Sequence, residues 1–422
     1  MKTVTILLVG AGGRCSIYSH LIKRLGARAK VVGVAEPRQF FRDRIVEEHG
    51  IPAENAFATW QEAALRPKMA DALIIGTQDR MHVEPAEAFA RLGYHILIEK
   101  PLAPDPEGCF HICKAAKDNR LIFSVCHVMR YANYTRILRS VIDSGTIGKL
   151  LSIQHLEPVG HWRFAHSYVR GNWRREEESS SFLLAKSIHD LDWIAYIVSQ
   201  KCLRVSSFGS LTFFRPDNMP DGATPRCLDC RVAGHCAYNA PRFYLERFRS
   251  GQINNYLESV TGELSEDAIL AAMRNGPYGR CVFACDNNVA DHQVVTMEFE
   301  GGATAAFTLA GCSKYGDRRT TIFGSEGEIA CDGSKISIYS YLRDRTNVIE
   351  IEPDKGTLET HHGGGDKACI EAFVDAVRDN DPTKVLSDDK VALETHMMVF
   401  AAEMSRKEKR TVEMDELLRG RD

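Results

Sequence analysis

Continuous apolar runs alternate with amphipathic segments through the first third of the chain. Residues 3–9, TVTILLV, and residues 30–36, KVVGVAE, are short runs typical of strands buried on both faces. Two later segments, residues 70–82 (ADALIIGTQDRMH) and residues 94–103 (YHILIEKPLA), each hold a further strand, and the stretch between them predicts a helix over residues 84–92. This alternation predicts an α/β fold with a parallel sheet.

A different pattern begins in the second part of the chain. The predicted strands there cover residues 150–155, 204–213, 293–300, 303–311, 319–331, 335–340 and 346–353, and the closing helices cover residues 366–378 and 388–407. Gly301-Gly302 joins one pair of strands as a tight hairpin. These elements predict an α+β domain, residues 129–422, with an open, mainly antiparallel sheet. The α/β domain then covers residues 1–128.

The composition narrows the class of protein. At 422 residues the chain is longer than a domain with one hydrophobic core usually is, which agrees with two domains. The formal net charge is only −3, so neither a nucleic acid nor an anionic membrane is indicated as a partner. The 13 cysteines are mostly scattered singly, and no cleavage site of a signal peptide follows the first apolar run. We therefore expect reduced thiols and a cytoplasmic protein without a membrane span.

The sequence GAGGRC joins the first strand to a predicted helix. Gly10 permits a tight turn, and Gly12 lets backbone N–H groups approach a pyrophosphate at the helix N-terminus. Cys15 replaces the third glycine of the G-x-G-x-x-G pattern, so the motif is incomplete. Glu36 ends the second strand, where a dinucleotide fold places the acid that binds the adenosine ribose. Glu36 favours NAD over NADP, although Arg38 leaves room for a 2'-phosphate.

The triplet Glu99-Lys100-Pro101 ends the fourth strand. Pro101 disfavours helical backbone angles at Lys100, so we expect the Lys100 ammonium to project beside a bound nicotinamide. Together with VGAGGR and GTQDRMH, this triplet resembles the glucose-fructose oxidoreductase and inositol dehydrogenase family (Gfo/Idh/MocA) over nearly the whole chain. The resemblance implies an N-terminal Rossmann domain and a C-terminal open sheet at a subunit interface. It also implies that Lys100 binds a substrate hydroxyl.

The glycine turn and the resemblance together define the expected cofactor site. Its residues are Gly10, Gly12, Gly13, Arg14, Glu36, Thr77, Gln78, His82, Glu99 and Lys100. Among them His82 could equally have a purely structural role at a helix start. The expected assembly is a homodimer or a homotetramer, because the family places the open sheet between subunits.

The segment GHWRFAHSYVRGNWRREEESSS, residues 160–181, is rich in side chains that bind sugars. Aromatic faces stack on sugar C–H surfaces, while Arg, Asn and His bond hydroxyl groups. The expected substrate residues are Arg130, Tyr131, His161, Trp162, Arg163, His166, Tyr168, Arg170, Asn172, Trp173 and His362. A solvated surface loop is the alternative. A third possibility is an acidic substituent of the ligand bound by Arg163, His166, Arg170 and Arg174.

The sequence LLAKSIHDLDW, residues 183–193, predicts an amphipathic helix with Lys186 and His189 on its polar face. Such a face is either solvated or catalytic. By the resemblance His189 takes the position of a histidine that handles the hydroxyl proton, but Ala185 stands where the family carries an aspartate. Lys186, Asp190 or water must then orient His189, or Lys186 itself acts as the base.

The sequence RCLDCRVAGHC contains the one cluster of cysteines, at Cys227, Cys230 and Cys236. Three thiolates at this spacing predict a structural zinc whose fourth ligand is Cys281, with Cys285 or His235 as alternatives. Unligated thiols are the competing interpretation, and no catalytic metal motif is visible.

The sequence therefore predicts an NAD-dependent oxidoreductase acting on a ring hydroxyl of a sugar, polyol or glycoside. Hydride passes to nicotinamide C4, Lys100 polarises the oxygen, and His189 or Lys186 takes the proton. An alternative is a redox-type glycoside hydrolase, in which oxidation, loss of the aglycone, addition of water and reduction recycle NAD. A nucleotide-sensing scaffold protein is disfavoured, because it would not need these three side chains to converge.

Overall fold

The computed structural model describes residues 2–252, 255–352 and 363–418. Its first sheet has six strands that pair only in parallel, as predicted. In chain order they are β1 (Val4–Val9), β2 (Ala29–Ala35), β3 (Ala56–Phe57), β4 (Ala72–Ile75), β5 (His95–Ile98) and β6 (Phe123–Val125). The helices of this region are α1 (Gly13–Arg24), α2 (Gln39–His49), α3 (Trp60–Ala64), α4 (Val83–Arg91) and α5 (Pro106–Asp118).

Strand β1 shows why the sequence reads as a continuous apolar run. Leu7 and Val9 enter a core that also contains α4 and α5, whereas Ile6 and Leu8 enter a second core against α1. Both faces of the strand are buried, so no polar alternation appears in the sequence.

The spatial order of the strands is β3-β2-β1-β4-β5-β6. The strands β2 and β3 lie on one side of β1, and β4, β5 and β6 lie on the other. The loops after β1 and β4 therefore diverge and leave a crevice at the carboxyl edge of the sheet, where α/β folds bind ligands. Gly10, Glu36, Gly76 and Glu99 all follow a strand at this edge.

The strands of the second sheet are β7 (Leu150–Pro158), β8 (Cys202–Ser210), β9 (His292–Phe299), β10 (Thr304–Ala310), β11 (Arg319–Gly324), β12 (Gly327–Cys331), β13 (Lys335–Ser340), β14 (Arg345–Glu350) and β15 (Val412–Glu413). Their spatial order is β14-β13-β12-β11-β7-β10-β9-β8-β15. Only β7 and β10 pair in parallel, so the predicted mainly antiparallel sheet is confirmed. The single strand predicted over residues 319–331 is two strands, which pair with each other as an antiparallel hairpin.

Helix α6 (Asn133–Asp143) lies between the two sheets in the sequence. Helices α7 (His161–Phe164) and α8 (Phe182–Val198) follow β7, and residues 165–170 continue α7 as a π-helical turn. Between β8 and β9 the chain forms α9 (Ala240–Arg249), α10 (Asn255–Val260) and α11 (Glu266–Asn275), with a small core of their own. The sequence analysis did not predict these three helices.

The last helices are α12 (Gly365–Asp379), α13 (Asp389–Glu408) and α14 (Asp415–Leu418). Helix α12 returns to the first sheet, where Phe373 is buried in the core beneath β1, and Asp375 pairs with Arg28 at 2.9 Å. Helix α13 packs on α8 and β8 of the second domain and on α5 of the first. In the described ranges, no helix combines the length and the apolar character that a membrane span requires.

Candidate active site

The turn after β1 is shaped by two glycines. Gly10 has a φ of +92°, and a Cβ there would lie 2.8 Å from the Gly76 carbonyl oxygen after β4. Helix α1 then begins at Gly13 without a side-chain cap or an acidic residue in its first turn, so its N-terminal N–H groups suit a pyrophosphate. A Cβ at Gly76 would lie 2.4 Å from the Cys15 sulfur. Cys15 can therefore replace the third glycine because Gly76 leaves room for it.

The Glu36 carboxylate is fixed at the end of β2. It accepts hydrogen bonds from Ala11 N at 2.8 Å and from Arg38 Nε at 2.7 Å. Burial opposes its ionisation, but the hydrogen bonds from Arg38 and Ala11 outweigh burial and lower the pKa of Glu36. The Arg38 guanidinium is thus held by Glu36, which places a negative charge where an adenosine ribose would bind.

Two predicted cofactor residues, Arg14 and Glu99, belong to a buried ionic cluster. Arg14 Nε lies 2.8 Å from Glu99 Oε1, and the same guanidinium pairs with Asp366 at the start of α12. The Tyr18 hydroxyl donates to Glu99 as well. The cluster fixes the start of α12 against the glycine turn.

His82 is buried and bonds backbone groups of two neighbouring loops. Its Nδ1 lies 2.9 Å from the Pro101 oxygen, and its Nε2 lies 3.2 Å from the Thr77 oxygen. Thr77 in turn donates to the Met81 carbonyl at 3.0 Å. His82 therefore positions the segment that carries Lys100. Gln78 lies between Thr77 and His82 and is exposed.

Lys100 reaches the first turns of helix α8. Its Nζ donates a hydrogen bond of 2.8 Å to the Ala185 carbonyl. Burial lowers the pKa of Lys100, an effect that the neighbouring Glu99 charge opposes. At the position where the resemblance leads us to expect an aspartate, the Ala185 backbone anchors this lysine.

The face of α8 that carries Lys186 and His189 is not solvated. Lys186 is 9% exposed, His189 is 5% exposed and Trp193 is fully buried. The alternative of a wet helix face is therefore wrong. Trp193 stacks on His155 of β7, with ring centroids 5.1 Å apart.

Lys186 forms an ion pair with Glu157, a residue that the sequence analysis missed. The Lys186 Nζ lies 2.6 Å from Glu157 Oε1, and Arg318 binds the second oxygen of the carboxylate at 3.1 Å. Burial lowers the pKa of Lys186 to about 8, although the Glu157 charge raises it. In the sequence, Glu157 lies between the strand predicted over residues 150–155 and the predicted substrate segment, residues 160–181. This position is the signal that could have identified Glu157 as a site residue.

The Asp190 carboxylate, expected as one possible partner of His189, contacts Arg318 and His155. It accepts hydrogen bonds from Arg318 and from His155 Nε2, the latter at 3.1 Å. Burial opposes its ionisation, but the Arg318 and His155 contacts lower the pKa of Asp190. These contacts make Asp190 part of the Arg318 network.

His189 packs against a group of buried imidazoles. Its ring centroid lies 6.0 Å from that of His127, which lies 5.7 Å from that of His396 on α13. Burial lowers the pKa of His127 to about 4 and that of His396 to about 3. Leu102 N donates to His396 Nε2 at 2.9 Å, so this imidazole is neutral and acts as an acceptor.

Several predicted substrate side chains bind protein groups instead. His166 bonds the Tyr244 hydroxyl at 2.7 Å, and Arg170 donates to the backbone oxygens of Tyr238 and Arg280, both at 2.8 Å. The further contacts are Arg130 Nε to Asp192 Oδ2 at 2.8 Å, Leu386 N to the Tyr131 hydroxyl at 2.7 Å, and Arg174 Nε to Asp286 Oδ1 at 3.1 Å. These contacts hold elements together, so the expectation that these side chains bind substrate finds no support in their geometry.

Other predicted substrate residues remain close to the crevice or at the protein surface. Trp173 donates to Asp79 at 3.3 Å, and Asn172 is exposed. Trp162 stacks on Phe243, with ring centroids 5.0 Å apart. His161, Arg163 and Tyr168 lie on the same stretch, α7 with its π-helical continuation. His362 lies outside the described residues.

The predicted zinc site is not supported. Cys227, Cys230, Cys236 and Cys281 do line one small cavity. In the described part of the chain, however, no group of three or more His, Cys, Asp or Glu side chains is arranged to hold a metal ion. Arg170 donates to the Cys227 sulfur at 3.5 Å, and burial raises the pKa of Cys281, which disfavours the thiolate that zinc requires.

The chain is similar in sequence or in fold to several known proteins. Myo-inositol 2-dehydrogenase of Thermotoga maritima is 21% identical over 422 residues, which cover 97% of this chain and 98% of that protein. The 2,7-anhydro-N-acetylneuraminate hydratase of Escherichia coli is 30% identical over 139 residues, 33% of this chain and 36% of that protein. The structure of levoglucosan dehydrogenase with NADH and levoglucosan has a TM-score of 0.70 at 17% identity and covers 98% of this chain and 99% of that chain.

Two family models account for most of the sequence. Residues 4–127 match the NAD-binding Rossmann fold of the Gfo/Idh/MocA oxidoreductases, and residues 139–414 match the C-terminal alpha/beta domain of the same family. The expected dinucleotide site and the open second sheet thus occur in one chain, which belongs to the Gfo/Idh/MocA family of oxidoreductases.

Proposed function

We propose that this NAD-dependent oxidoreductase acts on a ring hydroxyl of a sugar, polyol or glycoside. The observation that carries the proposal is the approach of Lys100 to helix α8, where its Nζ bonds the carbonyl of the residue preceding Lys186. Two lysines and the Glu157 carboxylate are thereby gathered at the carboxyl edge of the first sheet. Relatives named for dehydrogenation of inositol and levoglucosan support a polyhydroxylated substrate.

In this proposal each side chain has a defined part. Bound NAD supplies the hydride acceptor at nicotinamide C4. Lys100 donates a hydrogen bond to the reacting oxygen, which stabilises the negative charge that develops there. Neutral Lys186 takes the hydroxyl proton on Nζ, and Glu157 stabilises the ammonium so formed. His189 remains the second candidate for this proton, because it lies on the same buried face of α8.

The redox-type glycoside hydrolase is the second candidate. It uses the same groups but returns the hydride to the sugar after the aglycone has left and water has added. A relative named as a hydratase favours this version, since adding water requires no net oxidant.

One experiment tests both versions. A panel of free sugars, polyols and nitrophenyl glycosides is incubated with NAD, and NADH absorbance and nitrophenol release are followed in parallel. NADH formation supports the dehydrogenase, and aglycone release without NADH supports the hydrolase. If neither signal exceeds that of a Lys100→Met variant, the proposal is wrong.

We further propose that the protein is a cytoplasmic homodimer or homotetramer assembled through the outer face of the second sheet. Phe208 is 73% exposed and pairs with the 38% exposed Val294, and Thr308 and Leu156 continue this row across the next two strands. Exposed apolar side chains such as Phe208 and Val294 on one face of a sheet are typical of an interface. All 13 cysteines are free thiols, which suits a reducing compartment.

A further inference from the structure

His127 is a buried imidazole at the carboxyl edge of the first sheet, next to helix α8. It follows β6, and the N–H of the preceding Cys126 donates to the Ile98 oxygen of β5 at 2.9 Å, two residues before Lys100. His127 is fully buried, whereas the neighbouring His189 is 5% exposed. A ligand in the crevice can therefore contact His189 but not His127.

The His127 ring forms no hydrogen bond with any side chain or backbone group in the described part of the chain. Both of its nitrogens are buried, and neither has a hydrogen-bond partner. Burial lowers the pKa of His127 to about 4, and the Asp192 charge only partly opposes this shift, so the ring is neutral at physiological pH. A neutral imidazole has one donor and one acceptor nitrogen. Leaving both of them unused in the interior is costly, which indicates a role for the ring beyond packing.

Two neighbouring side chains are close enough to serve as partners of His127. Asp192 Oδ2 lies 3.6 Å from His127 Nδ1, slightly longer than a hydrogen bond. The His189 ring contacts the other imidazole with centroids 6.0 Å apart and an angle of 79° between the planes. His396 is excluded as a partner, because both of its nitrogens bond backbone groups, at 2.9 and 2.6 Å. Catalytic hydrogen bonds are often long in a ligand-free enzyme and shorten when the substrate binds.

The Asp192 carboxylate determines which nitrogen of His127 carries the proton. Arg130 donates to both carboxylate oxygens, at 2.8 and 2.9 Å. Burial opposes the ionisation of Asp192, but the Arg130 charge outweighs burial and lowers the pKa of this carboxyl. An ionised carboxylate only accepts, so the nearby Nδ1 of His127 must be the donor. The Nε2 of His127 is then an acceptor, which suits an N–H of His189.

We propose that His127 is a positioning residue for His189. It donates from Nδ1 to Asp192 and accepts at Nε2 from one ring nitrogen of His189, which leaves the other nitrogen of His189 to accept from the substrate hydroxyl. The inference deepens the proposed function and rests on it, because it concerns the second candidate for the hydroxyl proton. When that proton passes from the hydroxyl oxygen to His189, the Asp192 charge stabilises the imidazolium through the neutral His127 ring. This arrangement supplies the orienting carboxylate that Ala185 lacks.

A double-mutant cycle tests this role, with NAD and the sugar, polyol or nitrophenyl glycoside that the wild type turns over fastest. His127→Phe keeps a ring, removes both nitrogens and leaves the pair of Arg130 with Asp192 in place. We expect unchanged NAD affinity, an equal or higher melting temperature, and a kcat lower by about 10- to 100-fold. His189→Gln should lower kcat by about 100-fold. Adding His127→Phe to His189→Gln should then change kcat by less than about twofold, because His127 acts only through His189.

Two further measurements keep the test independent of the phenylalanine variant. His127→Gln retains an amide near the Nε2 position and should keep more of the rate than His127→Phe does. In protein labelled with 15N-histidine, nuclear magnetic resonance should show His127 protonated on Nδ1 and His189 in a single tautomer. In His127→Phe or His127→Gln the His189 tautomers should mix. An unchanged single tautomer of His189 in both variants overturns the inference.

The control is His396→Phe, a change in a buried imidazole whose nitrogens are both bonded. It should lower the melting temperature, and its effect on kcat should add to that of His189→Gln. The same additivity for His127→Phe would reveal a merely structural role and overturn the inference. Full activity in His189→Gln also overturns it but leaves the proposed function intact, with Lys186 as the base. Failure of the wild type to turn over any sugar contradicts the proposed function itself.

Discussion

The Lys186 ammonium and the Glu157 carboxylate form an ion pair with an Nζ–Oε1 distance of 2.6 Å, which joins helix α8 to strand β7 inside the protein. The two residues lie far apart in the sequence, at positions 157 and 186. The pair places a lysine with a pKa of about 8 beside the proposed reaction centre. A lysine with this pKa is neutral in a useful fraction of molecules near physiological pH, which general base catalysis requires.

The pH dependence of kcat should report this lysine. As a base Lys186 must be neutral, so the oxidation rate should rise with pH and level off above about pH 8. Glu157 stabilises the ammonium, so Glu157→Gln should lower the pKa of Lys186 and move this limb to lower pH. Glu176→Gln, a change in a surface pair with Lys407, is the control and should leave the profile in place. An unchanged limb in Glu157→Gln would assign it to another group.

Removal of either lysine should stop the chemistry without preventing cofactor binding. Lys100→Met and Lys186→Met should each lower kcat by about 10²- to 10⁴-fold, the usual contribution of positioned proton transfer and charge stabilisation. Stopped-flow and steady-state assays measure kcat, and calorimetry measures NAD affinity. Ala185→Ser is the matched control, because Lys100 contacts only the backbone of residue 185 and activity should stay within about threefold. Full activity in Lys186→Met would move the proton to His189.

Cofactor preference should depend on Glu36. We expect NAD to bind at least tenfold more tightly than NADP, about 1.4 kcal/mol, because the carboxylate repels a 2'-phosphate. Glu36→Ala should release Arg38 from its carboxylate partner and raise NADP affinity. Calorimetric titration of both dinucleotides measures the effect. Equal affinities in the wild type would contradict the assignment.

The buried network around Arg318 should contribute strongly to stability. Asp190 is fully buried, and its loss leaves the Arg318 charge with one carboxylate instead of two. Asp190→Asn should therefore lower the free energy of unfolding by about 3 kcal/mol. Asp217→Asn, in an exposed pair, should change it by less than about 0.5 kcal/mol. Denaturant titrations compare the two variants, and equal effects would show that the network is dispensable.

The state of assembly should respond to the outer face of the second sheet. Phe208→Glu places a charge in the proposed interface and should convert the oligomer to monomers, as measured by light scattering after size-exclusion chromatography. Phe40→Glu changes another exposed phenylalanine, on α2, and should leave the assembly intact. A monomeric wild-type protein would refute the proposed assembly.

The sequence by itself determined the features that are local in the chain. Apolar runs predicted β1, β2, β4 and β5 of the first sheet and most strands of the second, because burial on one or two faces imposes a short-range periodicity. The glycine turn at Gly10 and the acid at Glu36 follow from backbone geometry and charge at a strand end. Helices α9, α10 and α11 were missed, although α9 and α11 each bury one apolar face.

The tertiary structure alone decided which polar side chains meet. Arg318 and Asp190 are 128 positions apart, yet they share a hydrogen bond, and periodicity carries no information about such a pairing. The same holds for Lys186 with Glu157. Conversely, the sequence predicted that His166 and Arg170 bind substrate, but they bind the Tyr244 hydroxyl of α9 and the Tyr238 carbonyl oxygen just before it. A buried polar group needs a hydrogen-bond partner, and the tertiary structure determines which partner is near.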